Sequence, residues 1–264
     1  MLRRRVVDDP PSKLAILSRW FALFALAVVV LAVLLVRGGF VETVPGTIIV
    51  GGGLAIAFIA LLFGLGAFIV IWIYGSPGFG KAVFAVFVGV ALIIYPTYLI
   101  ANSINLPALV DITTDIAEPP RFETIARLRP RGANKPDYPG AQAAQIQRTA
   151  YPEIVPLDLA ASPEEAYNAA LAVIGKRRWR VVEARTPQAG RRDGRIEAVA
   201  RTPIMGFRDD LVIRVRASQN GGARVDLRSA SRYGTYDFGT NAQRIRALVE
   251  EIEEEIENQP APTR

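Results

Sequence analysis

This 264-residue chain contains no histidine and no cysteine, and the residues whose spacing could do chemistry are mainly arginines, aspartates and serines. A serine nucleophile therefore lacks its usual base, and neither a reactive thiolate nor a disulfide framework can form. The common ligands of zinc are absent for the same reason, which leaves only carboxylate sites for Mg²⁺ or Ca²⁺. We predict neither a metal site nor a bound cofactor.

A set of polar residues in the C-terminal half forms a candidate cluster with two interpretations. Arginines bind anions as planar, bidentate donors that aspartates can orient, which would make the set a site for an anion or a sugar. Alternatively, the same side chains form cross-strand ion pairs and link a proline-rich segment to a sheet. The set comprises Asp111, Asp115, Asp209, Asp210, Arg214, Arg228, Ser231, Arg232, Asp237, Asn241 and Arg244.

Three patterns that resemble catalytic motifs are incomplete. Asp209 and Asp210 are neighbours in a strand-like run, so they point to opposite faces and cannot share a proton as an acid–base pair. The serines in residues 228–232 have no histidine beside them, and Gly51 to Gly53 precede no Gly-Lys-Ser/Thr. The sequence therefore disfavours an enzyme.

Two helices and four strands are predicted to position the polar residues. Residues 162–165, Ser-Pro-Glu-Glu, form a capping box that begins a helix ending near Arg177, and an amphipathic helix spans residues 240–258. Turn residues rich in glycine, such as Ala189-Gly190 and residues 220–222, separate the strand-like runs. The four runs are residues 179–185, 195–202, 209–217 and 223–231.

Alternation along these runs predicts how the sheet is covered. Leu211 and Ile213 face one side while Arg214 faces the other, which is typical of an antiparallel sheet with one buried face. With both helices on that face, residues 158–264 are predicted to form an α+β two-layer sandwich, ordered helix, four-stranded antiparallel sheet, helix. Residues 259–264 are expected to be a short disordered tail.

Residues 103–157 are predicted to form a proline-rich, extended strap that belongs to the same soluble domain. Eight prolines interrupt any long element there, and residues 110–115 have a β-like composition.

The first 102 residues are predicted to be a membrane anchor of three apolar helices. The spans cover about residues 14–36, 47–74 and 82–101, and between Trp20 and Asn102 the charged residues are only Arg37, Glu42 and Lys81. No ionisable residue lies in the middle of a span, which disfavours a channel or a pump. Small residues recur every three or four positions, in a pattern that predicts close helix packing: Gly53, Ala57, Ala60, Gly64 and Ala67, then Ala82, Ala85 and Gly89.

Basic residues near the span ends predict the orientation in the membrane. Arg3 to Arg5, Lys13 and Arg19 lie at the N-terminal side of the first span and Lys81 lies in the second loop, whereas the first loop has only Arg37. By the positive-inside rule, the N-terminus is cytoplasmic and the C-terminal domain periplasmic, in the inner (cytoplasmic) membrane of a bacterium.

The formal net charge of +6 is also explained by the membrane anchor. Much of the excess lies beside the first span, and the basic residues of the soluble part are interleaved with acidic ones. We therefore predict the lipid bilayer as a partner, with no nucleic acid, and leave the oligomeric state open.

Four ordered motifs resemble a known family. They are the Asp-Ile-Thr-Thr-Asp run at 111–115 with Pro-Pro-Arg-Phe at 119–122, then residues 206–210, 228–232 and 237–246. The chain from about Ile104 to Glu257 is similar to the bacterial and plastid domain of unknown function 1499 (DUF1499), which often follows N-terminal membrane spans. The resemblance implies a domain boundary, and no activity.

These observations favour a multi-pass membrane protein with a binding or scaffolding module in the cell envelope, acting on an envelope protein or an anionic ligand. Two alternatives remain. One is a ligand-processing enzyme that uses carboxylate and arginine groups, and the other is an accessory subunit of a membrane transport complex.

Overall fold

A computed structural model of the chain describes residues 10–188, 193–219 and 221–258. The chain divides into two compact units, of which one ends at Asn102 and includes Ile204–Gly206, and the other begins at Ser103. Outside the described residues lie Arg3 to Arg5, the predicted turn at Ala189-Gly190, Asn220 and the predicted tail at 259–264.

The N-terminal unit consists of three helices: α1 (Lys13–Gly38), α2 (Thr43–Tyr74) and α3 (Phe79–Ser103). By length and composition, all three could cross a membrane. Each connecting loop has only four residues, so neighbouring helices run antiparallel. Helix α3 continues for seven residues past Pro96.

The small residues of the N-terminal unit lie at the helix contacts, which confirms the predicted packing face. The whole α2 series from Gly53 to Ala67 is buried. At Gly64 an added Cβ would lie 2.8 Å from the Val86 side chain and 3.3 Å from the Ala82 carbonyl oxygen. A larger residue there would therefore require Val86 to shift, so a small residue allows α2 and α3 to lie close together.

The C-terminal unit contains an antiparallel sheet of six strands. The strands follow the order β1-β6-β5-β4-β3, and β2 pairs with the same strand, β6, as β1 does. Their bounds are β1 (Asp111–Thr113), β2 (Leu157–Leu159), β3 (Arg180–Arg185), β4 (Gly194–Arg201), β5 (Arg208–Ala217) and β6 (Ala223–Ser231).

The prediction of four strands is wrong, because β1 and β2 come from residues 103–159 and complete one edge of the sheet. Asp111 pairs with Ala230 and Leu157 pairs with Val225, so the two short strands lie end to end along β6. Each has three residues, too few for an alternating pattern to be visible. Only their backbone pairing with β6 defines them as strands.

The two predicted helices cover one face of the sheet, which we call the helix face. They are α6 (Pro163–Lys176) and α7 (Thr240–Glu257). The predicted capping box of α6 is present, because the Ser162 side chain accepts from the Glu165 backbone N–H and the Glu165 carboxylate accepts from that of Ser162. Buried apolar residues of both helices pack on Leu211, Ile213 and Leu227 in one core.

The opposite face is also buried, so the prediction of one buried face is wrong. Part of residues 103–157, which we call the strap, covers it, and this side of the sheet is the strap face. Other residues of the strap, such as Ala143 and Ile154, belong to the core of the helix face. Phe122 and Ile125 pack there against Val212 and Ala230. The strap is not extended throughout, because it contains two helices, α4 (Thr124–Leu128) and α5 (Ala141–Ala150).

Candidate functional site

Arg228 is the central polar residue of the strap face and is only 1% exposed. Its Nε and Nη2 donate to the two Asp111 carboxylate oxygens at 2.9 and 2.7 Å. It also donates to the carbonyl oxygens of Pro120 at 3.0 Å and Pro136 at 2.8 Å, and its guanidinium lies over the Phe122 ring. One side chain of the sheet therefore holds three separate points of the strap.

Asp210 is the second link, and two arginines share it. Arg129 of the strap donates from Nε to one carboxylate oxygen at 2.7 Å, and Arg232 donates to the other at 2.8 Å. Arg129 Nη1 also donates to the carbonyl oxygens of Asn134 and Lys135, at 2.6 and 2.8 Å. The strap thus folds back around the Arg129 side chain.

Asp115 and Asp226 form a third group, near the end of β5 and the start of β6. Arg214 donates to Asp226 at 3.0 Å and to Asp115 at 3.1 Å, and Arg216 and Arg224 bind the same two carboxylates. Asp115 also accepts from two backbone N–H groups of the strap. These pairs hold the start of the strap against the sheet.

Glu197 is a further link that sequence patterns did not reveal. Its fully buried carboxylate accepts from the backbone N–H groups of Glu123 at 2.6 Å and Ile125 at 2.7 Å, at the start of α4. A negative charge there satisfies donors that a helix leaves free and complements its dipole.

The remaining candidates lie on the helix face, beside the start of α7. Arg244 binds Asp209 at 2.5 Å and donates to the Ser229 hydroxyl at 2.7 Å, while Asn241 donates to the Ser231 hydroxyl at 2.9 Å. Asp237 accepts from the backbone N–H groups of Gly239 and Asn241. Burial raises the pKa of the Asp237 carboxyl, and these hydrogen bonds oppose the rise.

The candidate cluster is therefore divided between two faces of the sheet. Asp111, Asp115, Asp210, Arg214, Arg228 and Arg232 lie on the strap face; Asp209, Ser231, Asp237, Asn241 and Arg244 lie on the helix face. Every one of them has a hydrogen-bond or ion-pair partner. Asp209 and Asp210 point apart, and each is engaged by arginine.

A cavity of about 670 Å³ lies between the strap and the edge of the sheet, beside the Arg228–Asp111 pair. Its lining includes Asp111, Arg129 and Tyr138. Within the described part of the chain, Arg129 Nη2 and the Tyr138 hydroxyl are buried and have no hydrogen-bond partner. Burial and the nearby Asp111 carboxylate raise the pKa of Tyr138 to about 12, and burial raises the pKa of Asp111 against the opposing effect of Arg228.

Sequence reasoning missed Arg129 and Tyr138, because both lie in the proline-rich strap, where no periodic pattern distinguishes them from other polar residues. Arg127, Arg129 and Arg131 alternate along the chain, yet only the Arg129 side chain is buried, at 4% exposure. No periodicity distinguishes it from its neighbours. Among the described residues, no group of three or more acidic side chains is placed to hold a metal ion.

The fold and the ion pairs define an α+β domain in which buried arginines attach a covering strap to a sheet. A family model described as "Protein of unknown function (DUF1499)" matches residues 111–252, from the first residue of β1 into α7. The match spans more than half of the chain, so this protein belongs to that family. No curated protein sequence matches the chain.

Proposed function

We propose that this chain is a multi-pass protein of the bacterial inner membrane whose C-terminal domain lies in the periplasm and binds a ligand of the cell envelope. The observation that carries the proposal is the cavity beside the Arg228–Asp111 pair. Asp111 in its lining is paired with Arg228, whereas Arg129 Nη2 and the Tyr138 hydroxyl have no partner among the described residues.

Unpartnered donors of this kind favour a binding role. A buried polar group without a hydrogen bond costs about 1–3 kcal/mol, and a bound acceptor would recover that free energy. The volume of about 670 Å³ also falls within the range of small-molecule sites.

The engaged carboxylates support binding over catalysis. Asp111, Asp209 and Asp210 each accept hydrogen bonds from arginine, so none is placed as a free general base. Asp209 lies on the helix face and is not among the residues that line the cavity.

The periplasmic orientation is supported by the charges at the helix ends. Lys13 and Arg19 lie in the first turns of α1, and Lys81 lies in the first turn of α3, on the same side of an antiparallel bundle. The opposite side has Arg37. Because basic residues concentrate on the cytoplasmic side of membrane proteins, this bias supports a periplasmic location for the end of α3.

Reporter fusions after Arg264 test the orientation. We expect an alkaline phosphatase fusion to be active and a β-galactosidase fusion to be inactive at equal expression, because the first enzyme needs the oxidising periplasm. The reverse pattern would overturn the orientation.

A ligand screen tests the binding role. Purified full-length protein is mixed with water-soluble acidic, basic and neutral compounds, and thermal unfolding is measured. Binding to the folded state raises the melting temperature. We expect at least one class to stabilise the wild type and the control Gln145→Trp, and to have no effect on Gln142→Trp. Both glutamines are exposed on α5, and of the two Gln142 lines the cavity. A screen in which no class raises the melting temperature of the wild type would overturn the binding role.

A further inference from the structure

We infer that this cavity binds a monocarboxylate with an apolar body, whose carboxylate oxygens accept hydrogen bonds from Arg129 Nη2 and the Tyr138 hydroxyl. The inference rests on the proposed binding function and assigns its ligand class. It follows from the balance of charge, the free donors and the composition of the lining.

The buried charges beside the cavity are not balanced. The guanidinium groups of Arg129, Arg228 and Arg232 pair with only two carboxylates, because Arg228 takes Asp111 and the other two arginines share Asp210. Within this group of five side chains, the arginines therefore outnumber the carboxylates by one. Lys135 and Asp137 also line the cavity, but both are exposed and their charges offset each other. A buried charge requires compensation, and one anion supplies it.

The geometry of Arg129 directs that anion to a single edge of the guanidinium. Nε is committed to Asp210 and Nη1 to two backbone carbonyls, while one face of the group lies over the Phe122 ring at 5.3 Å. The edge at Nη2 has no partner among the described residues. The Arg129 side chain as a whole is only 4% exposed.

Tyr138 supplies the second donor. The Arg228 guanidinium lies over its ring, 5.6 Å from the ring centroid, and the Tyr138 hydroxyl has no partner among the described residues. With a pKa of about 12, the phenol stays protonated and donates at neutral pH. Two donors, one of them charged, match the two oxygens of one carboxylate.

The rest of the lining favours an apolar body on the ligand. Leu109, Val110, Ala143, Ile146 and Ala230 contribute to the wall, and burying their surface against an apolar group is favourable. The single unbalanced charge favours a monoanion over a phosphate monoester, which carries about −1.5 to −2 at neutral pH.

Calorimetric titration of the full-length protein with 4-phenylbutyrate tests the ligand class. We expect 4-phenylbutyrate to bind about tenfold or more tightly than the neutral 4-phenylbutyramide, because the charged oxygens are lost in the amide. Acetate, which lacks the apolar body, is expected to bind about tenfold or more weakly than 4-phenylbutyrate. Phenyl phosphate and dibutyl phosphate serve as anions of other chemistry; tighter binding of either would overturn the carboxylate assignment.

The variant Tyr138→Phe tests the site without disturbing the fold, because it removes a hydroxyl that has no partner in the described residues. We expect it to weaken 4-phenylbutyrate binding about tenfold while the melting temperature is unchanged or higher. The matched control Tyr233→Phe, outside the cavity lining, should bind like the wild type. Wild-type affinity in Tyr138→Phe would overturn the assignment.

The outcomes separate the inference from the function on which it rests. One outcome is that neutral or basic compounds stabilise the wild type and not Gln142→Trp, with no binding of 4-phenylbutyrate. In that case the cavity is a binding site and the carboxylate class is wrong. If no compound acts, both are overturned.

Discussion

The two faces of the sheet are both buried, but different forces cover them. On the helix face, α6 and α7 pack on apolar residues such as Leu211, Ile213 and Leu227. On the strap face, the contacts are mainly between arginines and carboxylates or carbonyl oxygens, around a small apolar cluster at Phe122 and Ile125.

The difference shows how one sheet can separate stability from positioning. Apolar packing tolerates any cover of suitable volume and shape, and it contributes free energy in proportion to buried area. A buried ion pair gains little net free energy after desolvation, but it demands particular partner atoms. The helix face therefore supplies most of the hydrophobic free energy, while the strap face determines where the strap lies and so shapes the cavity.

The largest expected effect comes from removing Arg228. Arg228→Ala leaves the buried Asp111 carboxylate and two carbonyl oxygens without their donor, and we expect a loss of about 3–5 kcal/mol in the free energy of unfolding. Urea unfolding of the full-length protein measures it.

The double variant Arg228→Met with Asp111→Leu is the control, because it removes both charges together. It should recover more than half of the loss, since no uncompensated buried charge remains. A double variant as unstable as Arg228→Ala would mean that the hydrogen bonds to Pro120 and Pro136 carry the stability of this face.

On the helix face, Ile213→Ala creates a cavity in the apolar core. Ile213 is fully buried, so we expect a loss of about 2–5 kcal/mol in the free energy of unfolding, against about 0.5–1.5 kcal/mol for Ile213→Val, as measured by urea unfolding.

Limited proteolysis compares the two faces directly. At equal loss of stability, Arg228→Ala should expose cleavage sites in the strap below the midpoint of unfolding, and Ile213→Ala should not.

A smaller effect is expected at Glu197, where one carboxylate holds the start of α4. Glu197→Gln keeps one acceptor oxygen and sets an amide group against a backbone N–H, which should cost about 1.5–3 kcal/mol. Urea unfolding measures the loss, and amide hydrogen exchange of Glu123 and Ile125 locates it. Unchanged protection of these two amides would contradict the role given to Glu197.

The smallest effect is expected at Glu118, an exposed partner of Arg216 at 2.8 Å. The hydrogen bond from Arg216 lowers the pKa of the Glu118 carboxyl below its ordinary value of 4.5. A lowered pKa in the folded state means that the pair stabilises the fold above pH 4.5 and that this contribution is lost as the pH falls through the lowered value.

The difference in unfolding free energy between the wild type and Glu118→Gln should therefore be about 0.2–1 kcal/mol at neutral pH and decline toward zero in acid. Urea unfolding at several pH values measures it. A difference that grows in acid would show that the pKa of Glu118 is raised.

Local patterns were sufficient for the elements whose signals lie within a few residues. The capping box at Ser162 begins α6, alternation along residues 209–217 and 223–231 corresponds to β5 and β6, and three apolar runs form α1, α2 and α3. Each signal depends on the spacing of neighbouring side chains, which the helix and strand periods dictate.

The elements that sequence patterns missed depend on contacts between distant residues. Strands β1 and β2 exist because their backbones pair with β6, and Glu197 holds α4 across more than seventy residues of chain. Three-residue strands and a five-residue helix are too short to carry a pattern of their own.

The candidate site illustrates the same division. From alternation alone, Arg228 had to point away from Leu227, and Asp209 away from Asp210. Whether the face of Arg228 met water or protein was decided by the tertiary structure, which brings Asp111 to it across 117 residues of sequence. The tertiary structure likewise buries Arg129 and not Arg127 or Arg131, and it places Arg129 in the lining of a cavity. Ion pairs depend on distances between atoms of separate segments, and these distances exist only once the strap has folded onto the sheet.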